Sequence, residues 1–168
     1  SVGKTSTKDL LAAILGTRWV TAASERSFNN EIGVPLTLVG AAEDTGAAVV
    51  EMGARGAGHI ALLCDVARPT AAVVTAVADA HLEMFGTLDD IALAKGELVE
   101  ALPSDGTAVL NSDDPRVRAM ASRTAATVLT FGVGPESDAD VRADIITLDG
   151  TLRPHLHLHT PWGGVELT

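Results

Sequence analysis

The stretch Gly3-Lys4-Thr5-Ser6-Thr7-Lys8-Asp9-Leu10-Leu11-Ala12-Ala13-Ile14-Leu15 sets glycine, lysine and threonine directly ahead of a helix-forming run. The backbone N–H groups at a helix start carry partial positive charge, so this order of residues suits anionic oxygens. It reads as the tail of a phosphate-binding loop, with Gly3, Lys4, Thr5 and Ser6 around the anion. Lys4 would reach terminal phosphates and Thr5 would ligate Mg²⁺. The first glycine of such a loop would lie ahead of Ser1. The plainer alternative is an ordinary helix start capped by Thr5 or Ser6.

Outward from this stretch, apolar runs of strand length alternate with stretches of helical period. The pattern predicts a helix over 4–15, strands near 19–21 and over 47–52, a helix over 58–66 and a strand over 70–77. A helix over 88–102, a strand over 106–110, a helix over 115–122 opened by Asp113-Asp114, and a strand over 127–131 follow. Such alternation specifies an α/β fold of the P-loop type, a mainly parallel sheet flanked by helices. After Gly134 the polar run Pro135-Glu136-Ser137-Asp138-Ala139-Asp140 breaks the pattern and strict alternation begins. Two antiparallel strand pairs fit there, turning near Asp149-Gly150 and Gly163-Gly164. The expected division is a parallel α/β core over 1–134 and an antiparallel strand extension over 135–168.

Composition narrows the function classes. The 168 residues carry 12 Lys+Arg against 22 Asp+Glu, a formal charge of -10, so a nucleic-acid backbone is repelled by the average surface. Charged residues break every apolar run before it reaches the length of a membrane span. The single cysteine, Cys64, sits in an apolar run as a small hydrophobe and excludes an internal disulfide. With no apolar signal segment at the start of the chain, a cytoplasmic location is expected.

Several polar residues stand where parallel sheets bind ligands. Glu51 ends an apolar strand, and a carboxylate there opens onto the crevice at the carboxyl ends of the strands; the alternative is a solvated strand end. His81 lies just past the third strand in the same relative place. Lys95 falls on an apolar helical face, either snorkelling to water or placed to have its charge changed. Asn111 follows a strand in Asn111-Ser112-Asp113-Asp114-Pro115, a run that also makes a turn and helix cap on any fold. His155, His157 and His159 share one face of a strand and read as an exposed polar face rather than a metal site.

In order, these blocks resemble the Mur ligase family over nearly the whole chain. The resemblance rests on Gly3-Lys4-Thr5-Ser6-Thr7-Lys8, Ser27-Phe28-Asn29-Asn30-Glu31-Ile32-Gly33-Val34-Pro35-Leu36-Thr37-Leu38 and Val49-Val50-Glu51-Met52-Gly53-Ala54. It continues through Arg68-Pro69, Ala80-His81-Leu82-Glu83-Met84-Phe85-Gly86-Thr87, Ala94-Lys95-Gly96-Glu97 and Leu110-Asn111-Ser112-Asp113-Asp114. The second and fifth blocks point to the branch that adds D-alanyl-D-alanine to UDP-MurNAc-tripeptide in peptidoglycan precursor synthesis. The resemblance implies that ATP phosphorylates the tripeptide carboxylate and that the dipeptide amine attacks the acyl phosphate. It implies Lys4 on the β/γ-phosphates, Thr5 and Glu51 on one Mg²⁺, and His81 on a second. Lys95 matches the family's carbamylated lysine, an anion beside Mg²⁺ in place of a cation. Asn111 matches the residue near adenine, and Asn29 or Asn30 lies toward the UDP-sugar peptide.

The same resemblance implies a central ATP-binding domain, 1–168, truncated at both ends and inactive by itself. The leading Thr-Gly of the family's Thr-Gly-Ser-x-Gly-Lys-Thr loop is not in the chain, nor are the N- and C-terminal domains or a Gly-Arg-His-Asn segment. Rival readings are another ligase of the superfamily, such as a MurE-type enzyme or folylpolyglutamate synthase, and a non-catalytic nucleotide-binding module. A signalling NTPase would want an Asp-x-x-Gly switch segment, which Glu51-Met52-Gly53 does not supply.

Overall fold

The computed structural model describes residues 3–25, 28–78 and 86–168. Helix α1 (Lys4–Gly16) leads to strand β1 (Thr21–Ala23), helix α2 (Gly33–Val39), strand β2 (Ala47–Val49), helix α3 (His59–Ala67) and strand β3 (Ala71–Val74). Then come α4 (Leu88–Glu100), β4 (Thr107–Asn111), α5 (Pro115–Ala119) with a 3-10 turn (Met120–Arg123), β5 (Thr127–Val133), β6 (Val141–Leu148), β7 (Pro154–Thr160) and β8 (Gly163–Leu167).

The strands form two sheets, a parallel β1-β2 pair and a six-stranded sheet ordered β3-β4-β5-β6-β7-β8. From β3 to β6 neighbours run parallel; β6-β7 and β7-β8 are antiparallel. The mainly parallel α/β sheet with an antiparallel end is therefore as the alternation predicts. The join is short: β5 and β6 pair only over Phe131, Gly132 and Val133. Asp140 fastens it, its Oδ2 accepting from both the backbone N–H and the hydroxyl of Thr130. Those bonds hold the Asp140 carboxyl below the usual carboxylate range.

Several predicted edges move, each for a local reason. The first strand starts at Thr21 rather than 19, because Arg18 and Trp19 still donate their N–H groups to Leu15 of α1. The strand predicted over 70–77 keeps ladder pairing only to Val74. Beyond it, side chains take over the backbone groups: Asn111 Nδ2 donates to Thr75 O, Lys95 Nζ to Ala76 O, and Val77 N to Asp114 Oδ2. The strand predicted over 47–52 ends likewise at Val49, and Glu51 N donates to Ser24 Oγ. The last turn falls at Pro161-Trp162, so Gly163 and Gly164 belong to β8. Helix α2 has no counterpart in the sequence reading, since its glycine and proline obscure a helical period. Asn30 Oδ1 starts it by accepting from the N–H groups of Ile32 and Gly33.

Two apolar clusters hold the layers. One joins Ala72 and Val74 of β3, Ala108 and Leu110 of β4, Val99 of α4 and Val117 of α5. The other joins Val34 of α2, Ile60, Leu63 and Cys64 of α3, and Met52 beyond β2. Leu98 of α4 packs against both. Among the described residues no helix is long and apolar enough to cross a membrane.

Candidate functional site

Gly3 stands at the N-cap of α1 with φ of 87°, a left-handed conformation that glycine adopts without strain. No side chain caps this helix and its first turn holds no acidic residue. Its leading N–H groups and partial positive charge are thus oriented to receive an anion. Lys4 and Thr5 occupy the first turn with the exposed Ser6. Thr5 Oγ1 donates to Glu51 Oε2 at 2.7 Å, and Lys4 Nζ lies 3.8 Å from Glu51 Oε1.

Glu51 is 6% exposed, and burial at that level requires partners for a charged carboxylate. Its second oxygen, Oε1, accepts from Asn29 Nδ2 at 2.8 Å. Its backbone is seated by Ser24, a buried residue whose own carbonyl accepts from the buried Lys8 Nζ at 2.6 Å. Lys8 and Ser24 are supports that the sequence reading passed over. Nothing in its polar neighbours, Ser6, Thr7 and Asp9, marks Lys8 as buried.

The six-stranded sheet supplies the other side. Lys95 on α4 donates to Ala76 O at 2.6 Å, just past β3. Burial, and then the positive charge of Lys4, push its ammonium down to about 8, while Asp114 acts in the opposite direction. Lys4 and Lys95 therefore feel each other across the boundary between the two sheets. Asn111 uses its amide to tie β3 to β4, donating to Thr75 O and accepting from Asp113 N at 2.9 Å. Asp114, read from sequence only as a helix cap, does cap α5 and also accepts from Val77 N at 2.7 Å.

The structure thus brings Gly3, Lys4, Thr5, Glu51 and Asn29 together and sets Lys95 near Lys4. Ser6 lies in the same first turn, Asn30 caps α2, and Asn111 lies at the end of β4. His81 lies outside the described residues. Among the described residues no set of three histidine, cysteine, aspartate or glutamate side chains converges to hold a metal. A cation here would take a hydroxyl, one carboxylate and phosphate oxygens, a donor set that suits Mg²⁺, which keeps several waters and binds few carboxylates.

A helix start beside a carboxylate past a parallel strand is an arrangement by which α/β proteins receive anionic groups. The chain belongs to the Mur ligase family, whose middle domain matches residues 1–168. It is 46% identical over 159 residues to the UDP-N-acetylmuramoyl-tripeptide–D-alanyl-D-alanine ligase of Mycobacterium tuberculosis, covering 95% of this chain and 31% of that protein. The ligase of the same name from Bacillus subtilis is 36% identical over 151 residues, with 90% and 32% covered. Among solved structures, MurF from Acinetobacter baumannii superposes with a TM-score of 0.91 at 30% identity, covering 99% of this chain and 36% of that one. MurF from Thermotoga maritima in complex with ADP gives 0.86 at 30% identity, covering 99% and 38%. The chain thus spans about a third of the length of the relatives it matches.

Proposed function

We propose that this chain is the ATP-binding part of an amide ligase of peptidoglycan precursor synthesis, working in the cytoplasm and serving cell-wall growth, cell shape and division. Its substrates are ATP, UDP-MurNAc-tripeptide and D-alanyl-D-alanine, and flanking N- and C-terminal domains complete the enzyme. The observation that carries this reading is the meeting of the uncapped start of α1, Lys4, Thr5 and the buried Glu51. The names of the relatives support the choice of substrates.

In this mechanism the tripeptide carboxylate attacks the terminal phosphorus of ATP, ADP leaves, and the dipeptide amine then displaces phosphate to form the amide. The start of α1 binds phosphate oxygens through its N–H groups, and Lys4 offsets the charge on the transferred group. Thr5 and Glu51 would hold one Mg²⁺, and Lys95 with His81 a second; bound there, the ions neutralise phosphoryl charge. Asn111 would lie beside adenine, and the segment that carries Asn29 and Asn30 would lie toward the sugar peptide. The lowered affinity of Lys95 for protons favours the neutral amine that adds CO₂, so a carbamate at this position suits the site.

ADP release by the complete ligase tests the reading. Release should require Mg²⁺, UDP-MurNAc-tripeptide and D-alanyl-D-alanine together. Release with neither acceptor, or only with a folate or another amino acid, would move the chain to a different branch of the superfamily.

A further inference from the structure

We infer that Asn29 is the positioning residue for Glu51: it orients the carboxylate so that one oxygen is held by the protein and the other faces the hydroxyl of Thr5. The inference rests on the reading of Thr5 and Glu51 as a cation site and adds a role for Asn29 within it.

The geometry is specific. A carboxylate accepts and never donates, so the atom of Asn29 that faces Glu51 Oε1 at 2.8 Å is the amide nitrogen. Thr5 takes the other oxygen, Oε2, at 2.7 Å. The two donors lie on different elements and divide the carboxylate between them. Ser24 holds the backbone of Glu51, so the place and rotation of its carboxylate are left to the donors that meet the side chain. Asn29 is one of these donors.

Asn29 is itself anchored from the strand side. Its carbonyl accepts from Gly53 N at 2.8 Å. A side chain at position 53 would meet Asn29 Oδ1 at 2.9 Å, so Gly53 is the residue that lets the asparagine lie against the segment after β2. The neighbouring Asn30 faces elsewhere and spends its amide on the start of α2. The asparagine pair thus splits into one residue for the carboxylate and one for the helix. Residues that orient a metal ligand from behind typically change metal affinity about 10- to 100-fold when removed.

The test measures Mn²⁺ binding by electron paramagnetic resonance on the chain saturated with ADP, with metal-free ADP affinity measured alongside. Asn29→Ala and Asn29→Leu should each weaken Mn²⁺ about 10- to 100-fold and leave metal-free ADP affinity unchanged. Leucine fills a similar space without an N–H donor, and its amide spectrum reports whether the fold is kept. If Asn29→Leu binds Mn²⁺ as the wild type does while Asn29→Ala does not, Asn29 acts by packing and the inference is overturned. If both bind like the wild type while Glu51→Gln does not, the inference falls and the cation role of Glu51 stands. If Glu51→Gln also binds like the wild type, the cation site falls and the inference with it.

Discussion

Thr5 Oγ1 and Glu51 Oε2, brought from the first turn of α1 and the segment past β2, meet at 2.7 Å. Replacing Glu51 by Gln keeps the shape and removes the charge that Lys4 and any bound cation face. In the complete ligase kcat/KM for ATP turnover should drop at least about 100-fold. Steady-state ADP release measures it, and a loss below tenfold would show that Glu51 is structural.

Arg123 lies across Gly96 on α4, where the guanidinium occupies the space of any side chain at that position. It donates to Ala92 O, Leu93 O and Glu100. Gly96→Ala must push the guanidinium aside and break those bonds, so it should destabilise by up to about 1 kcal/mol despite alanine's helix propensity. In an Arg123→Ala background the same change should become stabilising, by up to about 1 kcal/mol. Urea unfolding of the four proteins reads the sign change, and additive effects would exclude the contact.

Lys95 should make stability depend on alkaline pH. Its proton affinity in the fold, about 8, lies below the ordinary 10.5, so between those values the unfolded chain holds a proton that the folded chain has released. Stability must then rise with pH through that window, and below it the fold bears the full penalty of the buried charge. Lys95→Met should unfold at a higher temperature than wild type near pH 7 in CO₂-free buffer, and the gap should narrow towards pH 10. A gap independent of pH would place the lysine charge in solvent. With ¹³C-bicarbonate a carbamate resonance should appear and be lost in the same variant.

Glu97 caps a helix other than its own: Oε1 accepts from Gly58 N at 2.6 Å and Oε2 from Ala61 N at 3.0 Å, at the start of α3. Glu97→Ala should cost about 1 kcal/mol. Amide exchange at Gly58 and Ala61 should quicken more than at Leu63. Unchanged exchange at those two amides would deny the cap.

The starts of α1 and α4 were legible because glycine, capping threonine and acidic first-turn residues act through neighbours in sequence, whereas α4 stops at Glu100, two residues short of the expected end. Lys4, Thr5 and Glu51 were legible for a related reason, since a helix start and a strand end have fixed places in a parallel sheet. What was not legible depends on partners distant in the chain. Asn29 and Asn30 look alike in sequence, yet one reaches a carboxylate 22 positions away and the other its own helix. Asp114 reads as a cap until Val77, 37 positions earlier, is seen to donate to it. Short α2 eluded periodicity because its register is set by that asparagine and by packing of Val34, which is fully buried.

Among the described residues no ladder joins the β1-β2 pair to the six-stranded sheet, and Leu98 packs against the apolar cluster on either side. A boundary made of side chains yields to small rotations that a hydrogen-bonded ladder resists. The spacing between Glu51 on one side and Lys95 on the other is thus set by side chains, the packing of Leu98 and the bonds of Glu97 to the start of α3, and not by a ladder. A ligand that bridged them would join the two sides where the strands do not.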